Sequence, residues 1–555
     1  MKKRRIMEPH SASGEVVCPH MTPSSFNFRG GVDPHVEKFE RDFPGAQPVL
    51  RLLKEADASP VWLAPVKAGA PAHSWQLHVR LPRYLEEHFG FTRQILLYCL
   101  CADDVHPRDG RRIQTLIRGA SDPIASDFAI VVAKDQRVVE KLHDWAIERE
   151  LGMVIVPLSI DQVEEELNSE EHTPTLQRLI GGWLSSHDLY DDRLPVTGDN
   201  FFGRGRVLRD LDRKLAQNRG HTGIYGLRRI GKTSLALELK ERLAKRTDLY
   251  PVFIDLAAAT GGAPHAAHRV LTEVADLLTE RSDLSKRQAL QALRVAEAWE
   301  DIDPKVMMSR LADGVRGVLT DGALSGCHIV LILDEAEALL SAQSGLADEH
   351  VLGFFRAIKG IAQETRQLSL VLVGVNAAPS EEATLAGEDN PLFGLLSPEY
   401  LGPLEAGECD EMIRRIGRRM QVRWDGPGVS RLTEKVGAHP LLARLAASDV
   451  VGSGDERLRR PTVEAVEKVF IDFHQRHTDI FEQMFYSLKR YYPSELYLLE
   501  IVASGEIGIA AELAEESPMM LNHLAGYGVL DPEHLTIAMP VLRLWLRQRQ
   551  GSLGP

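Results

Sequence analysis

The sequence predicts an α/β protein in which two successive domains are built on parallel sheets and are followed by a helical C-terminal part. Short aliphatic runs alternate with amphipathic segments before residue 190 and again after residue 201. Such runs indicate strands buried on both faces of a sheet, with helices as the connections between them. A polar hinge at residues 185–200 separates the two series, and from about residue 476 the segments indicate helices.

Composition and charge limit the class of protein. The chain has 555 residues, 44% hydrophobic and 26% charged, which suits about three globular domains. A net charge of -14 disfavours the whole chain as a general binder of nucleic acid, although it leaves room for a local basic patch. No apolar run is long enough to span a membrane, and none follows the basic N-terminus. We therefore expect no membrane partner, no secretory signal and a cytoplasmic location.

The first block contains a flexible N-terminus, residues 1–30, and an α/β effector or recognition domain, residues 31–190. The first part is rich in Ser, Pro and His, a composition that disfavours order. The predicted strands of the second part are WQLHVRL, QILLYCLCADD, DFAIVVAKD and GMVIVPLS. With the amphipathic helices between them, they loosely resemble the order of elements in TIR-like and other flavodoxin-like domains.

Polar residues follow two of these strands, at the position where open α/β sheets bind ligands. They are Asp103 and Asp104 after one strand, and Lys134 and Asp135 after another. The TIR-like resemblance would make Glu140 or Glu148 catalytic, but the block contains no diagnostic motif for that chemistry and no clean [DE]xK pattern of a restriction nuclease. A non-catalytic sensing or assembly domain with these acids in solvent is therefore favoured.

A glycine-rich loop opens the second block. GLRRIGKT fits G-x-x-x-x-G-K-[ST] through Gly226, Gly231, Lys232 and Thr233, and it lies between the predicted strand HTGIYG and the helix SLALELKERLAK. The glycines let backbone N–H groups point at a phosphate, and the helix N-terminus adds partial positive charge. The lysine would reach the β- and γ-phosphates, and the threonine hydroxyl would ligate Mg²⁺. Arg228, Arg229, Ile230 and Ser234 complete the predicted phosphate-binding loop.

The next buried strand ends in acids. In HIVLILDEAEALL the strand is aliphatic and Asp334 emerges at its carboxyl end, where ligands of open sheets lie. We predict that Asp334 supports Mg²⁺ indirectly, from outside its direct ligands, and that Glu335 activates the water that attacks the γ-phosphate. The alternative is that both acids only favour the N-terminus of the following helix. Glu337 lies farther along and is expected in solvent.

A third strand, LSLVLVGVN, ends at Asn376. An amide at this place would hold the attacking water or sense the γ-phosphate. The alternative is an asparagine that ends a strand by forming a turn, a role that suits this residue type. The catalytic role is the favoured prediction.

GLRRIGKTSL, LILDEAEAL, LVGVN and the preceding FFGR together resemble the STAND and archaeal types of AAA+-related P-loop ATPase, with kinship to Orc-like initiators. The resemblance covers about residues 200–548. It implies an ATPase core at 201–385, a helical lid at 386–475 and a winged helix at 476–555. It also implies ATP and Mg²⁺ as cofactors, ATP-dependent self-association, and a protein partner or trigger.

The same resemblance implies further site residues. Phe202, Gly203 and Arg204 match a stretch that helps to form the adenine pocket, although Gly205 stands where relatives often have an acid. GAHP (437–440) matches a lid motif in which Pro440 starts a helix near the nucleotide, and the neighbouring His439 is a candidate phosphate sensor.

An arginine that completes a neighbouring subunit's site is harder to locate. NPLFG (390–394) carries Gly394 where relatives often have that arginine. Arg366, Arg414 and Arg415 remain as candidates.

The C-terminal block is predicted to contact protein rather than DNA. Its candidate recognition helix, SPMMLNHLAGYG (517–528), has no Lys or Arg and follows Glu512, Glu515 and Glu516, so DNA phosphates would be repelled. The C-terminal tail carries three basic residues, Arg543, Arg547 and Arg549.

The favoured function is an ATP-binding and ATP-hydrolysing molecular switch that controls the N-terminal domain. Loss of γ-phosphate contacts on hydrolysis is an established physical basis for switching. The STAND resemblance implies prokaryotic defence or signalling. The alternatives are a DNA-loading or transposition-type ATPase and a nucleotide-binding scaffold that does not hydrolyse ATP.

Overall fold

Two five-stranded sheets organise the chain. The computed structural model describes residues 34–66, 73–102, 104–118, 120, 124–148, 153–191, 194–217, 219–281, 293, 299–320, 327–340, 347–385, 387–453 and 458–552. The chain divides into two units, one extending to residue 180 apart from residues 88–90, and one formed by residues 88–90 and 181–555.

The first sheet has its strands in sequential order. They are β1 (Ser59–Pro65), β2 (Trp75–Arg80), β3 (Gln94–Leu100), β4 (Ile124–Ala133) and β5 (Val154–Ser159). Strands β1, β2 and β3 pair antiparallel, whereas β3, β4 and β5 pair parallel. The helices described between residues 34 and 186 are Pro34–Asp42, Ala46–Glu55, Arg83–Phe89, Pro107–Arg118, Gln136–Glu148, Ile160–Leu167 and Thr175–Ser186.

The unit that contains this sheet is α/β as predicted. The sheet itself is mixed rather than wholly parallel, and its strand order is not that of a flavodoxin-like sheet. Strand β1 was missed because SPVWLAP has two prolines and no alternation of apolar and polar residues. Proline is tolerated in an edge strand, where one row of N–H groups has no partner strand. The short connection from β1 to β2 permits a hairpin but not a parallel crossover.

The second sheet is wholly parallel. Its strands are β6 (Thr222–Tyr225), β7 (Leu249–Asp255), β8 (His328–Asp334), β9 (Leu368–Gly374) and β12 (Ser397–Tyr400), in the order β12-β6-β9-β8-β7. Every residue of β8 and β9 is buried. Alternate residues of β8 pack into two separate apolar clusters. Leu331 lies on one face of the sheet, and Val330 and Ile332 lie on the other. Both faces are covered, which explains the uninterrupted aliphatic sequence of these strands.

Helices flank this sheet and form the rest of the unit. Around the sheet lie Gly205–Asp212 with the π-helical turn Arg213–Gln217, Lys232–Ala244, Gly262–Arg281, Pro304–Thr320, Glu337–Leu340, Ala347–Thr365 and Ala378–Glu381, the 3-10 turns Gly198–Asn200 and Trp299–Asp301, and the hairpin of β10 (Thr384–Leu385) and β11 (Glu388–Asp389). The region predicted as a lid contains Ala406–Arg419, Gly426–Val436, Pro440–Val451, Val463–Val469 and Phe473–Arg476.

The C-terminal part is helical except for one small hairpin. Its helices are Thr478–Tyr491, Pro493–Ser504, Ile507–Glu516, Pro518–Gly526 and Pro540–Ser552, and the hairpin pairs β13 (Leu530–Asp531) with β14 (Thr536–Ile537). The winged-helix prediction rests on this order of helices followed by a hairpin. Across the part of the chain that the structure describes, no helix combines the length and the apolar character that crossing a membrane requires.

Candidate functional site

The glycine-rich loop connects β6 to the helix Lys232–Ala244. Gly231 precedes that helix with φ +97° and Arg229 has φ +67°, so the backbone curls through the left-handed region that glycine adopts without strain. A Cβ on Gly226 would lie 2.7 Å from the carbonyl oxygen of Leu401. Gly226 is therefore required by close packing, whereas Gly231 is required by its backbone angle.

Lys232 is buried at the centre of this loop. Its Nζ donates hydrogen bonds of 3.0 Å to the carbonyl oxygens of Gly226 and Leu227. Burial lowers the pKa of the ammonium group, while the carboxylates of Glu337 and Glu335 act in the opposite direction. The loop thus holds one cation against its own backbone, on the side where the strand ends carry acids.

Thr233 and Asp334 join the loop to strand β8. The Thr233 hydroxyl donates a 2.7 Å hydrogen bond to Asp334 Oδ2. Asp334 is 2% exposed, and burial raises the pKa of its carboxyl group. Two oxygen-bearing side chains that were predicted to hold Mg²⁺ therefore lie within hydrogen-bond distance of each other.

Glu335 directly follows Asp334 and has an unusual backbone conformation. Its φ is +54°, a conformation that costs energy for a residue other than glycine and clusters at functional sites. The side chain lines the same cleft as Lys232 and Thr233. Burial raises the pKa of Glu335, and the neighbouring charge of Glu337 raises it further.

Glu337 is not in solvent, and that prediction was wrong. Its side chain is buried, and Oε2 accepts a 3.1 Å hydrogen bond from the backbone N–H of Val375. This bond ties the segment after β8 to the segment after β9. The residue was missed because its partner is a backbone group 38 residues away, which no local sequence pattern reveals.

Asn376 lies at the end of β9 and makes a turn contact. Its Oδ1 accepts hydrogen bonds from the Ala378 N–H at 3.0 Å and from the Tyr492 hydroxyl at 3.5 Å. The side chain is only partly buried and, among the described residues, it is not one of those that line the cleft. Its role in catalysis stays a prediction.

The cleft beside the loop has a volume of about 430 Å³, within the range of small-molecule sites. One side is formed by the glycine-rich loop and Glu335. The other side is largely apolar and is lined by Leu194, Pro195, Val196, Phe201, Phe202, Leu404, Met412, Pro440 and Leu441. Sequence reasoning missed the Leu-Pro-Val triplet because it treated residues 185–200 as a polar hinge. An apolar triplet among acids was the available signal.

The predicted FGR stretch borders this cleft. Phe202 and Arg204 line it, whereas Gly203 has φ +67° and packs against the Glu408 side chain. Arg204 donates hydrogen bonds to the carbonyl oxygens of Pro403 at 2.9 Å and Ile230 at 3.4 Å. Burial lowers the pKa of Arg204 to about 10. The arginine therefore links the glycine-rich loop to the segment that leads into the lid.

Pro440 lines the cleft at the first turn of the helix Pro440–Val451. His439 caps that helix, because its Nδ1 accepts a 3.4 Å hydrogen bond from the Leu442 N–H. Burial, together with the charge of Arg204, lowers the pKa of His439 to about 3. The imidazole is consequently neutral at physiological pH and contributes no positive charge to a phosphate.

Three loop residues predicted to bind phosphate contact protein groups. The Arg228 guanidinium lies 5.8 Å from the centre of the Tyr486 ring, and Arg229 donates a 3.4 Å hydrogen bond to Gln483 Oε1. The Ser234 hydroxyl accepts a 3.0 Å hydrogen bond from the Val196 N–H. All three also line the cleft, as does Ile230.

The candidate arginine fingers occupy different places. Arg366, with φ +55°, precedes β9 and so lies at the edge of the sheet opposite the glycine-rich loop. Arg415 lies 5.5 Å from the centre of the Phe202 ring and 3.6 Å from Asp199 Oδ1. Arg414 is half-buried on the same helix, and Gly394 has φ +72° in an exposed turn.

The strand-end residues of the first sheet are mostly exposed. Asp104 forms an ion pair with Lys141, and the Asp135 carboxylate accepts a hydrogen bond from the Arg137 N–H. Lys134 and Glu140 are exposed. Asp103 and the side chain of Glu148 lie outside the described residues. The contacts of the described residues at this sheet edge do not assign chemistry to it.

The geometry of the second sheet is that of a P-loop ATPase domain, and residues 213–380 match the family model described as an AAA domain. The matched region contains the glycine-rich loop, Asp334, Glu335 and Asn376, so these predicted site residues all lie in the part of the chain that is similar to an AAA domain. No curated protein sequence matches the chain.

Three solved structures illustrate the similarity. A Walker-type ATPase of Pyrococcus abyssi is 18% identical over 65% of this chain and 99% of its own, with a TM-score of 0.43. The ORC2 protein of Aeropyrum pernix, with ADPNP and ADP, is 14% identical over 64% of this chain and 98% of its own (TM-score 0.35). The ORC1 protein of Aeropyrum pernix in complex with DNA is 16% identical over 67% and 97% (TM-score 0.32).

These matches bear on one expectation about partners. We expected nucleic acid to be a disfavoured partner, and the comparisons do not bear out that expectation.

Proposed function

We propose that the chain is an ATP- and Mg²⁺-dependent molecular switch whose ATPase region controls the N-terminal α/β domain. The observation that carries the proposal is the hydrogen bond between Thr233 and Asp334. It brings the predicted metal-binding groups together beside a cleft that Lys232 and Glu335 also line.

The two sides of the cleft suit the two ends of ATP. Backbone N–H groups at the N-terminus of the helix Lys232–Ala244 favour anionic phosphates, and Lys232 adds a full positive charge. The apolar side, which includes Phe202, Met412 and Leu441, suits a flat adenine ring. The segment of Leu194–Val196 also belongs to this apolar side.

The oxygen atoms of Thr233 and Asp334 fit Mg²⁺, because this ion prefers hydroxyl and carboxylate oxygens and takes few protein ligands when phosphates are present. When bound, the ion would neutralise phosphate charge during transfer. Thr233 would hold it directly, and Asp334 would hold it directly or through water.

Glu335 is the proposed general base. Its carboxylate would orient a water molecule and accept the proton as the water oxygen bonds to the γ-phosphorus, while the bond from that phosphorus to the ADP oxygen breaks. Lys232 would stabilise charge on the phosphate oxygens. The products are ADP and inorganic phosphate.

The switch would use the difference between ATP and ADP. Contacts to the γ-phosphate would order the site, and their loss would release it. We further propose that ATP promotes self-association, that a protein trigger acts on the switch, and that the pathway is one of prokaryotic defence or signalling. These last statements rest on the STAND resemblance.

Phosphate release measures the proposed activity. We expect hydrolysis by the wild type, loss of nucleotide binding in Lys232→Ala, and normal behaviour in Lys245→Ala, which changes an exposed lysine at the other end of the same helix. Normal hydrolysis by Lys232→Ala would show that the site is misassigned. Size analysis with ATP and with ADP tests nucleotide-dependent self-association.

A DNA-loading ATPase is the second candidate, favoured by the DNA complex of the matched ORC1 protein. Two arginines of the C-terminal helix have internal contacts, since Arg547 donates to the Ala503 carbonyl and Arg549 lies 3.5 Å from Glu482 Oε2. ATP-dependent binding to duplex DNA with a steep salt dependence would support this candidate. Binding that is absent at low salt would exclude it.

A further inference from the structure

The segment Val375–Glu381 follows β9 and is held by residues from the C-terminal helices. The Tyr527 hydroxyl donates a 2.9 Å hydrogen bond to the Val375 carbonyl oxygen. The Tyr492 hydroxyl accepts a 2.6 Å hydrogen bond from the Ala377 N–H and lies 3.5 Å from Asn376 Oδ1. Two phenol groups thus fix the backbone on both sides of the predicted γ-phosphate sensor.

A buried charged cluster holds the other end of the segment. His523 lies between two carboxylates, with Nε2 2.9 Å from Glu381 Oε2 and Nδ1 2.8 Å from Glu495 Oε1. Its side chain is 5% exposed. Glu381 belongs to the segment, whereas His523 and Glu495 belong to the C-terminal helices.

The same segment also contacts the sheet next to the glycine-rich loop. The Tyr225 and Ser380 hydroxyls lie 2.6 Å apart, and Tyr225 is the last residue of β6, immediately before Gly226. The Tyr400 hydroxyl, at the end of β12, donates to the Glu381 carboxylate.

On its opposite side the segment contacts the acids after β8. Glu337 accepts the hydrogen bond from the Val375 N–H, so the N–H of Val375 binds a residue two positions from Glu335 and its carbonyl oxygen binds Tyr527. A displacement of the C-terminal helices would therefore act on both the sensor and the neighbourhood of the general base.

We propose that Tyr492, Tyr527 and His523 are positioning residues for ATP hydrolysis: they hold the segment Val375–Glu381 in place from the C-terminal helices and thereby make the hydrolysis rate depend on the docking of those helices. The inference rests on the proposed function. None of the three residues lines the cleft, so each would act through the segment rather than on the nucleotide.

Buried hydroxyl groups give this assignment a sharp test. A purely packing role would need only the aromatic rings, which pack edge to face with the Tyr492 and Tyr527 ring centroids 6.0 Å apart. Tyr492→Phe retains the ring and removes the acceptor for the Ala377 N–H. Because small displacements of catalytic groups lower the rate strongly, we expect kcat to fall by about tenfold or more, with KM and the Kd for ATP changed by less than about threefold.

The matched control is Tyr497→Phe, in the helix Pro493–Ser504 that Tyr492 directly precedes, because Tyr497 is 52% exposed. Tyr527→Phe removes the second hydroxyl group. It should likewise lower kcat and leave KM nearly unchanged. All variants are made in the full chain and are checked for wild-type melting behaviour with ATP.

The outcomes separate the two levels of the proposal. Active wild type with unchanged kcat in folded Tyr492→Phe and Tyr527→Phe overturns the positioning role and leaves the proposed function intact. Equal changes in KM and kcat indicate general loss of structure and also overturn it. A wild type that binds ATP weakly and releases no phosphate overturns the proposed function, and the inference with it.

Discussion

Thr233 Oγ1 donates a 2.7 Å hydrogen bond to Asp334 Oδ2, across 101 residues of sequence. Thr233 lies in the first turn of the helix after the glycine-rich loop, and Asp334 is the last residue of β8. Their contact follows from the parallel sheet, which brings the carboxyl ends of its strands to one edge. In the proposed function, this pair marks the place where a divalent cation would meet the phosphates.

Substitution of Thr233 tests the metal site. Thr233→Ala removes a hydroxyl ligand, so ATP binding in Mg²⁺ should weaken by about tenfold or more, a free energy of about 1.4 kcal/mol. Thr233→Ser keeps the hydroxyl and should bind as the wild type does. Titration of a fluorescent ATP analogue with Mg²⁺ and with EDTA measures both. The same loss for Thr233→Ala in EDTA would argue against a metal role.

Substitution of Glu335 tests the general base. Glu335→Gln preserves shape and removes the proton acceptor, so phosphate release should fall by about 10² to 10⁴-fold while ATP affinity stays within about threefold. The conservative control is Glu512→Gln, which changes an exposed carboxylate. Single-turnover measurement of phosphate release distinguishes slow chemistry from slow product release. Retained hydrolysis in Glu335→Gln would assign the base to another residue.

Glu337 gives a prediction about stability. Glu337→Ala leaves the buried Val375 N–H without its acceptor, which should lower the free energy of unfolding by about 1–3 kcal/mol. Glu337→Gln offers an amide oxygen in the same place, so its free energy of unfolding should fall by less. Chemical denaturation of the two variants makes the comparison. An equal loss in both would mean that the charge of Glu337, not the hydrogen bond, matters.

Gly203 should not tolerate a side chain. Its φ is +67°, and an added Cβ would collide with the Glu408 carboxylate, which caps the N-terminus of the helix Ala406–Arg419. Gly203→Ala should therefore lose about 1–3 kcal/mol of stability through backbone strain and a disturbed cap. Thermal denaturation of Gly387→Ala is the control, because Gly387 has φ +82° and no atom near an added Cβ.

His523 predicts a pH dependence. Burial opposes its charge, but hydrogen bonds and charges from Glu381 and Glu495 raise its pKa to about 9, above the value of about 6.5 in an unfolded chain. Its contribution to stability is therefore complete below about pH 6.5 and is lost as the pH rises through about 9. Melting temperatures between pH 6 and pH 9.5 should show this loss in the wild type.

The control for this pH effect is a histidine in solvent. His523→Gln should remove the pH-dependent part of the stability, whereas His534→Gln should leave it, because His534 is exposed and pairs with the nearby Asp531 in a surface turn. A pH profile that is the same in wild type and His523→Gln would contradict the assignment.

Much of the ATPase region was predictable because its signals are local. The loop motif, the aliphatic strands β8 and β9, and the acids after β8 are each contained in a short stretch, and a parallel sheet places strand ends together. Strand β1 and the antiparallel pairing of the first sheet were not predictable in this way, because a proline-containing edge strand has no periodic signal. The prediction that Glu337 is exposed was wrong for a related reason, because its side chain is held by a backbone group in the segment after β9, distant in sequence.

By itself, the sequence determined the α/β class and predicted a phosphate-binding loop with Lys232, Thr233, Asp334 and Glu335, since these depend on short patterns with a fixed geometric meaning. Tertiary structure alone decided what surrounds them. It placed Leu194–Val196 in the cleft, directed Arg228 and Arg229 towards Tyr486 and Gln483, and set Tyr492, Tyr527 and His523 around the segment after β9. Such contacts join residues distant in sequence, and their free energy depends on packing and burial that no local pattern encodes.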